Sequence, residues 1–277
     1  MSIQTLEFRG LPAFRLALPE GDAVVVARHG AQVLSWVSGG DERIYLSPQA
    51  MMDGHSAIRG GVPICFPQFN QRGPLPKHGF VRNMPWQLEE RDAPAGELAL
   101  VLHDGDATRA FWPHAFRAEL RVALQPRTLR VTLTVDNTGS APWNFAAALH
   151  TYLRVDEIAD VRLEGLQGAN RWDAVRDDRH VEMAPALRFD GEFDSVYTSP
   201  AQGLRLVQPG ATLAIKQSAS CTETVVWNPG AQLSAKLADM PDDGYRHMLC
   251  VEAARIDEPV QLQGGAQWKG WQELTLA

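Results

Sequence analysis

Apolar and polar residues alternate with a period of two wherever this chain shows a clear period, and that pattern restricts its fold more than any other feature. From residue 128 to residue 136, every odd position carries Leu or Val, whereas the even positions carry Thr, Arg or Asp. Successive side chains of a strand point to opposite faces of a sheet, so this segment is predicted to be a half-buried antiparallel strand. Asn137, Thr138 and Gly139 then supply a turn.

Two further strand-turn-strand units follow from the same reasoning. One joins residues 204–207 to 212–217 through Gln208-Pro209-Gly210, and the other joins residues 23–27 to 32–37. No long segment has the period of an amphipathic helix, and 18 Pro and 23 Gly distribute turn signals along the chain. We therefore expect an all-β fold, a sandwich or barrel of many short strands. No low-complexity linker divides the chain, so residues 1–277 are expected to form a single domain.

Residues 54–88, called the basic segment below, contain no Asp or Glu. A chain of this composition would place about four acidic residues in such a stretch, so their absence indicates that a positive electrostatic potential is needed at this segment. Frequent Gly and Pro predict a loop, and interleaved apolar residues indicate that it packs on the protein with its cations outward. Basic residues on a loop are also ordinary at a solvated surface. The cationic and titratable residues of the segment are His55, Arg59, Arg72, Lys77, His78 and Arg82.

An anion would fit this segment well. A guanidinium group matches a phosphate or carboxylate, and glycine lets the backbone approach a ligand closely. Arg side chains together with the backbone N–H groups of Gly60 and Gly61 are therefore a candidate anion receptor.

The whole-chain composition favours a small partner. The net charge of −7 disfavours a general binder of nucleic acid or of an anionic membrane. The three cysteines (Cys65, Cys221 and Cys250) are widely spaced, which favours buried free thiols in a reducing compartment over a disulfide framework. The start of the chain resembles no secretory signal, and no apolar stretch approaches the roughly 20 residues of a membrane helix. A cytoplasmic protein is expected.

Three residues are candidates for chemistry. Alternation would place His150 on one strand face with Ala146, Ala148 and Tyr152, where it could project into a cleft or be an ordinary core or surface histidine. Glu252 is the single charge in an apolar segment, residues 248–254, and is either a buried structural acid or a general base with a raised pKa. Asp194 follows a turn and, alone, would be an ordinary turn residue.

Cofactor motifs do not occur in the sequence. The eight His residues lack HxH or HExxH spacing, and the chain has no GxGxxG, GxxxxGK[ST] or GxSxG motif. We therefore expect acid–base chemistry on an anion, without a metal, nucleotide or other cofactor.

Several segments, which occur in order over most of the chain, together resemble a known family. They are residues 58–69 (IRGGVPICFPQF), 73–83 (GPLPKHGFVRN), 149–152 (LHTY), 194–197 (DSVY), 226–229 (VWNP) and 250–254 (CVEAA). The pattern is similar to that of the hexose-6-phosphate mutarotases, the glucose-6-phosphate 1-epimerase branch of the aldose 1-epimerase family. The resemblance implies the large galactose mutarotase-like β-sandwich and the interconversion of the α and β anomers of hexose 6-phosphates.

The resemblance also implies roles for individual residues. Glu252 matches the general base and His150 the general acid. Arg59, Arg82 and the position before His78 match contacts to the 6-phosphate and the sugar. Asp194 matches a carboxylate that binds sugar hydroxyls, and His78 a histidine near the ring oxygen.

Two positions depart from the family pattern. Lys77 stands where Gln is usual, which would strengthen the attraction for a phosphate dianion, and Gly230 stands where Trp is expected, which would open one wall of the cleft. Two other functions remain open: a non-catalytic binder or sensor of sugar phosphates, and a mutarotase of neutral aldoses. The partner is expected to be a small hexose phosphate and the protein a monomer, although many short strands leave edges that could pair.

Overall fold

The computed structural model describes residues 3–89 and 94–277. Within these residues the chain forms 22 β-strands, and the strands are assembled into three antiparallel sheets. The prediction of an all-β fold is confirmed, and the large facing sheets make it a sandwich. None of the helices in the described residues has the length and apolar character needed to span a membrane.

The strands of the first half of the chain are β1 (Gln4–Phe8), β2 (Leu11–Ala17), β3 (Ala23–Ala27), β4 (Val33–Ser38), β5 (Asp41–Glu42), β6 (Ile64–Cys65), β7 (Gln87–Leu88), β8 (Glu97–His103), β9 (Phe116–Gln125) and β10 (Thr128–Asn137). Those of the second half are β11 (Trp143–Leu149), β12 (Tyr152–Arg154), β13 (Arg162–Glu164), β14 (Asn170–Asp173), β15 (Asp178–Val181), β16 (Ala186–Leu187), β17 (Phe193–Thr198), β18 (Leu204–Gln208), β19 (Ala211–Gln217), β20 (Glu223–Asn228), β21 (Met248–Leu262) and β22 (Gln267–Leu276). The helices are α1 (Asp106–Arg109) and α2 (Gly230–Ser234), with 3-10 turns at Val81–Asn83, Ile158–Asp160 and Gly244–His247.

Each sheet has a simple strand order. The five-stranded sheet runs β1-β2-β3-β4-β5, and the nine-stranded sheet runs β16-β13-β18-β19-β22-β10-β9-β8-β7. The eight-stranded sheet runs β15-β14-β17-β20-β21-β11-β6, with β12 also paired to β21. One continuous apolar core joins them: Val24 comes from the five-stranded sheet, Leu133 from the nine-stranded sheet, and Val251 from the eight-stranded sheet.

The eight-stranded sheet is covered on both faces. In β20, Val226 belongs to the main core, whereas its neighbour Val225 belongs to a second apolar cluster on the opposite face. Adjacent strand residues point to opposite faces, so the second cluster marks the face turned away from the core. Phe69 of the basic segment packs on this cluster. The part of the basic segment around Phe69 thus lies against this face, and the candidate site forms between them.

The predicted strands are present, with one difference in burial. Residues 128–137 form β10, and the pairs β3–β4 and β18–β19 match the other two units. Thr132 is buried like the apolar residues beside it, because β10 lies between β9 and β22, where Arg121 and Trp271 are its direct partners. The Arg130 guanidinium also lies over the Trp271 ring, 4.3 Å from its centroid. Long side chains thus cover Thr132, so the prediction of a half-buried strand was wrong at that position, whereas Arg130 on the same face is exposed.

Candidate active site

A cleft opens between the basic segment and the outer face of the eight-stranded sheet. Its main cavity has a volume of about 240 Å³, and a smaller lobe of about 100 Å³ adjoins it. The predicted residues Lys77, His78, His150 and Arg59 line both spaces, Asp194 and Glu252 line the main cavity, and Arg82 lines the lobe. The structure therefore brings every predicted site residue into one cleft.

Glu252 lies in the middle of β21, a strand of which residues 248–254 are all buried. Its side chain is 1% exposed, and its Oε2 atom has no hydrogen-bond partner in the described structure. Burial raises the pKa of the carboxyl well above its usual value, and the nearby charge of Asp194 raises it further. A carboxyl held in this way is protonated more readily than an exposed one and is suited to proton transfer near neutral pH.

His150 lies at the junction between β11 and β12, where its backbone N–H donates to the carbonyl of Pro63 (2.9 Å). Its ring stacks on Tyr152, with centroids 4.9 Å apart and planes inclined by 12°. Its Nε2 atom lies 3.4 Å from Oε1 of Glu252. The stacking fixes the plane of the imidazole and directs Nε2 toward the carboxyl.

The imidazole of His150 is neutral near pH 7. Burial lowers the pKa of His150 to about 3, and the positive charges of Arg82, Arg59 and Lys77 contribute to the same shift. Burial thus favours the neutral form of both groups, the protonated carboxyl of Glu252 and the unprotonated imidazole of His150. In the described residues, His150 is the one basic side chain within 4.0 Å of the Glu252 carboxyl.

His78 lies beside this pair, with its ring centroid 5.4 Å from that of His150. The backbone N–H of Asn70 donates to Nδ1 of His78 (3.3 Å), so a neutral ring carries its proton on Nε2. Burial lowers the pKa of His78, and the charges of Arg82 and Lys77 add to this shift, which keeps the ring neutral. His78 can therefore act as a fixed hydrogen-bond donor, with a backbone φ of 65° that places the ring at the cleft.

The sequence predicted that the cations of the basic segment point outward, but not all of them do. Arg59 turns into the lobe, where its Nε donates to Asp239 (3.1 Å) and its Nη1 to the Tyr152 hydroxyl (3.1 Å). Lys77 is exposed, and its carbonyl accepts a hydrogen bond from Nη2 of Arg82 (2.8 Å). The Nε atom of Arg82 is buried with no partner in the described structure. The lobe therefore presents guanidinium groups that can bind an anion.

The backbone of the basic segment contributes less than expected. Gly61 donates its N–H to the carbonyl of Tyr45 (2.8 Å), so this group is not free to bind an anion. A Cβ atom on Gly61 would lie 2.3 Å from the carbonyl oxygen of Val33, and one on Gly60 would lie 2.5 Å from that of Tyr45. Glycine is needed at both positions because backbone packs directly on backbone.

Asp194, on β17, lies across the cavity from the basic segment. Burial raises the pKa of this carboxyl, and the charge of Glu192 adds to the shift. Trp227 on β20 forms part of the same wall, with its ring centroid 6.1 Å from that of His150. A carboxylate beside an aromatic wall can accept hydrogen bonds from ligand hydroxyls while the ring covers an apolar ligand face.

Two residues with clear contacts in the lobe were not predicted as site residues. Tyr152 lies in the LHTY segment, so its position close to His150 in the sequence could have identified it as a site residue. Asp239 follows α2 in an irregular stretch, and no pattern in the sequence linked it to Arg59. Only the folded chain brings that carboxylate to the guanidinium.

A larger cavity, of about 600 Å³, lies beyond Trp172 along the same sheet. Its charged groups are largely paired with neighbours: Arg171 contacts Glu182 (3.1 Å), and Arg255 donates to the Thr222 hydroxyl (2.8 Å). The unpaired buried acid–base groups lie instead in the smaller cleft. We therefore assign the chemistry to the cleft.

The backbone at Gly230, the first residue of α2, explains why this position departs from the family pattern. Its φ is 60°, and a Cβ atom there would lie 2.5 Å from the backbone nitrogen of Glu192. A tryptophan does not fit this backbone. Leu233 and Leu237, from α2 and the residues after it, line the cavity instead.

A sequence profile described as Aldose 1-epimerase matches residues 12–275. The chain belongs to the aldose 1-epimerase family. A protein of Escherichia coli named "Putative glucose-6-phosphate 1-epimerase" is 36% identical over 263 residues, covering 88% of this chain and 86% of its own length. A protein of Cenchrus ciliaris with the same name is 34% identical over 256 residues, covering 87% and 78%.

Solved structures agree with this membership. The crystal structure of a protein from Salmonella typhimurium described as a "putative mutarotase" superimposes with a TM-score of 0.89 at 30% identity, covering 99% of this chain and 93% of its own. Galactose 1-epimerase from Lactobacillus acidophilus shares the fold, with a TM-score of 0.76 at 15% identity, covering 100% of this chain and 98% of its own. The predicted galactose mutarotase-like sandwich is confirmed for this member of the family.

Proposed function

We propose that this epimerase interconverts the α and β anomers of hexose 6-phosphates, with glucose 6-phosphate as the principal substrate. The observation that carries the proposal is the position of the buried pair His150 and Glu252 next to a lobe lined by Arg59, Lys77 and Arg82. An acid–base pair suits the opening of a hemiacetal, and a cationic lobe beside it suits a phosphate. The names of the relatives support the same substrate.

Ring opening needs one proton removed and one proton supplied. Glu252, as its carboxylate, takes the proton of the anomeric hydroxyl, and the electron pair of that O–H bond forms the C1 carbonyl. The bond between C1 and the ring oxygen breaks, and the ring oxygen takes a proton from the imidazolium of His150. Rotation about C1–C2 presents the other face of the aldehyde, and the reverse transfers close the ring. Protons and electrons balance over the cycle.

The phosphate assists by preparing the acid. The lobe that would hold it is lined by His150 but not by Glu252. Burial is the main cause of the low pKa of His150, and the cations around the lobe add to it. A dianion there would neutralise those cations and so favour transfer of a proton from the carboxyl to the imidazole. That transfer produces the carboxylate base and imidazolium acid that ring opening requires. The phosphate would thus raise turnover as well as binding.

The remaining side chains orient the sugar. His78 would donate a hydrogen bond from Nε2 to the ring oxygen, and Asp194 would accept hydrogen bonds from sugar hydroxyls. Arg59 would exchange part of its contact with Asp239 for the phosphate. None of these steps uses a cofactor. We further propose that the enzyme works as a single-domain monomer in the cytoplasm, where its three buried free thiols would stay reduced.

Kinetics on two substrates would test the phosphate assignment. Replacing Arg59 or Arg82 by Gln should lower kcat/KM for glucose 6-phosphate by about 10- to 100-fold, which is the worth of one charge-assisted hydrogen bond. The loss for glucose should be much smaller. Arg205→Ala is a matched control, since this exposed arginine pairs with Glu164 on the nine-stranded sheet. Equal losses on both substrates would contradict a phosphate role.

A sugar-phosphate binder without catalysis would need neither a buried proton donor nor an unpaired base. A mutarotase of neutral aldoses would need no cationic lobe. The cleft contains both features, so the enzyme of hexose phosphates is the better account.

A further inference from the structure

A third potential metal ligand lies beside the acid–base pair. Cys250 precedes Glu252 by two residues on β21, so the two side chains point to the same face of the sheet. The Cys250 sulfur, a ring nitrogen of His150 and a carboxylate oxygen of Glu252 all lie within 4.8 Å of one another. The mechanism above does not use the thiol of Cys250, which is completely buried in an apolar cluster that includes Tyr152.

This donor set has the geometry of a zinc site. Zinc bonds to Cys sulfur at about 2.3 Å and to His nitrogen or carboxylate oxygen at about 2.0–2.2 Å, and tetrahedral coordination then separates the ligand atoms by about 3.3–3.7 Å. The distance of 3.4 Å between His150 and Glu252 already falls in this range. A shift of about 1 Å would bring the sulfur into it.

An unsatisfied carboxylate oxygen at the same place favours an incoming cation. Oε2 of Glu252 is buried and lacks a hydrogen-bond partner in the described part of the chain. Binding would release the protons of the Cys250 thiol and the Glu252 carboxyl, and the resulting thiolate and carboxylate would together neutralise a divalent ion. His150 and Glu252 both line the main cavity, so an ion can reach them from the cleft. Three protein ligands would leave the fourth position of a tetrahedral ion free.

We propose that a thiophilic divalent cation such as Zn²⁺ binds His150, Cys250 and Glu252, and that it inhibits the enzyme by occupying the acid–base pair. Zn²⁺ and Cd²⁺ accept this mixture of sulfur, nitrogen and oxygen ligands. Mg²⁺ and Ca²⁺ prefer oxygen ligands in larger number and bind this donor set poorly. The inhibition, though not the binding, rests on the proposed function.

Spectroscopy with Co²⁺ would test the metal site without an activity assay. Wild-type protein titrated with Co²⁺ should develop a thiolate-to-cobalt absorption band at one equivalent, and Zn²⁺ should abolish it. Cys250→Ser should lose the band, whereas Cys221→Ser and Cys65→Ser, which alter the other buried thiols, should keep it. Cys250→Ala is a second variant, and thermal unfolding would confirm that each variant folds. A band of equal strength in both folded Cys250 variants, or no band in the wild type, would overturn the site.

Anomer exchange measured with and without Zn²⁺ would test inhibition. Zn²⁺ should reduce turnover of glucose 6-phosphate by at least tenfold in the wild type, and a chelator should restore it. Cys250→Ser should retain turnover and require at least tenfold more Zn²⁺ for the same inhibition. Mg²⁺ should have no effect. A wild-type protein that shows the cobalt band but stays fully active with the metal bound would overturn the inhibitory role, whereas a band in a protein without any turnover would preserve the site and reject the proposed function.

Discussion

Nε2 of His150 and Oε1 of Glu252 lie 3.4 Å apart in a cleft where both side chains are buried. Burial acts on them in opposite directions: it lowers the pKa of the imidazole and raises that of the carboxyl. Burial thus favours the neutral form of each group, and their separation lets a proton pass between them. A structural ion pair would instead favour the two charged forms.

Glu252→Gln should abolish mutarotation and stabilise the fold. As pH rises above about 4.5, the unfolded carboxyl ionises while the folded one keeps its proton, so wild-type stability falls by up to about 1.4 kcal/mol per pH unit. A neutral amide avoids this cost. Urea denaturation at pH 5 and pH 7 should show the variant gaining about 1–3 kcal/mol over the wild type as the pH increases. A variant less stable than the wild type at pH 7 would indicate that Glu252 is a structural acid.

His150→Asn should make the protein less sensitive to acid. The pKa of His150 is about 3 in the folded protein against 6.5 as the ordinary value, so the unfolded chain takes up a proton first as the pH falls. Wild-type stability should be fully present above pH 6.5 and decline between pH 6.5 and about pH 3. Chemical denaturation at pH 7 and pH 5 would measure the decrease in the free energy of unfolding between the two pH values. This decrease should be smaller in the variant than in the wild type by about 1–2 kcal/mol. An identical loss in both proteins would mean that His150 is protonated in the native state.

The phosphate should activate His150 as well as bind the enzyme. Phosphite dianion, added as a separate ion, should therefore accelerate mutarotation of glucose by wild-type protein by about tenfold or more, because it would neutralise the cations around the imidazole. His150→Asn should lose about 10²–10⁴ in kcat and show no such activation. Steady-state kinetics with and without phosphite would check both effects. Inhibition of glucose turnover by phosphite would show instead that the anion only competes for the cleft.

Lys77→Gln should restore the residue usual in the family and weaken phosphate attraction. Lys77 is exposed, so its contribution should be modest, about 2- to 5-fold in KM for glucose 6-phosphate, and should decrease with added salt. KM measured at low and high ionic strength would test this. A variant whose KM and salt dependence match the wild type would exclude Lys77 from the anion site.

Gly230→Ala should destabilise the fold strongly. The backbone has a φ of 60°, and the added Cβ would lie 2.5 Å from the nitrogen of Glu192. Gly210 is the matched control, with a φ of 75° and open space where a Cβ would stand. Chemical denaturation should show a loss of about 1–2 kcal/mol for Gly210→Ala from strain alone, and at least about 2 kcal/mol more for Gly230→Ala. Similar losses at both positions would argue against a steric need for Gly230.

Local patterns in the sequence predicted the local structure well. Alternation identified β10 and the β18–β19 hairpin, and an isolated charge among apolar residues identified Glu252 as buried, because each of these properties depends on neighbours along the chain. The specific sandwich came from the resemblance. Alternation specifies which face of a strand is apolar, but not how strands are ordered in a sheet.

Contacts between distant loops could not be read from the sequence. The pairing of Arg59 with Asp239 depends on how the basic segment and the chain after α2 meet over the cleft. The hydrogen bond from the Gly61 N–H to the Tyr45 carbonyl depends on two irregular segments packing together. The single-domain prediction, the monomeric state and the roles of the site residues stay predictions.

The exchange rate between α and β anomers, measured by NMR with glucose 6-phosphate and with glucose, tests the central claim most directly. Wild-type protein should accelerate exchange of glucose 6-phosphate strongly and that of glucose much less, and Glu252→Gln should accelerate neither. Equal acceleration for both sugars would indicate that the enzyme is a mutarotase of neutral aldoses. Saturable binding of glucose 6-phosphate without acceleration would contradict the account and leave a sugar-phosphate binder.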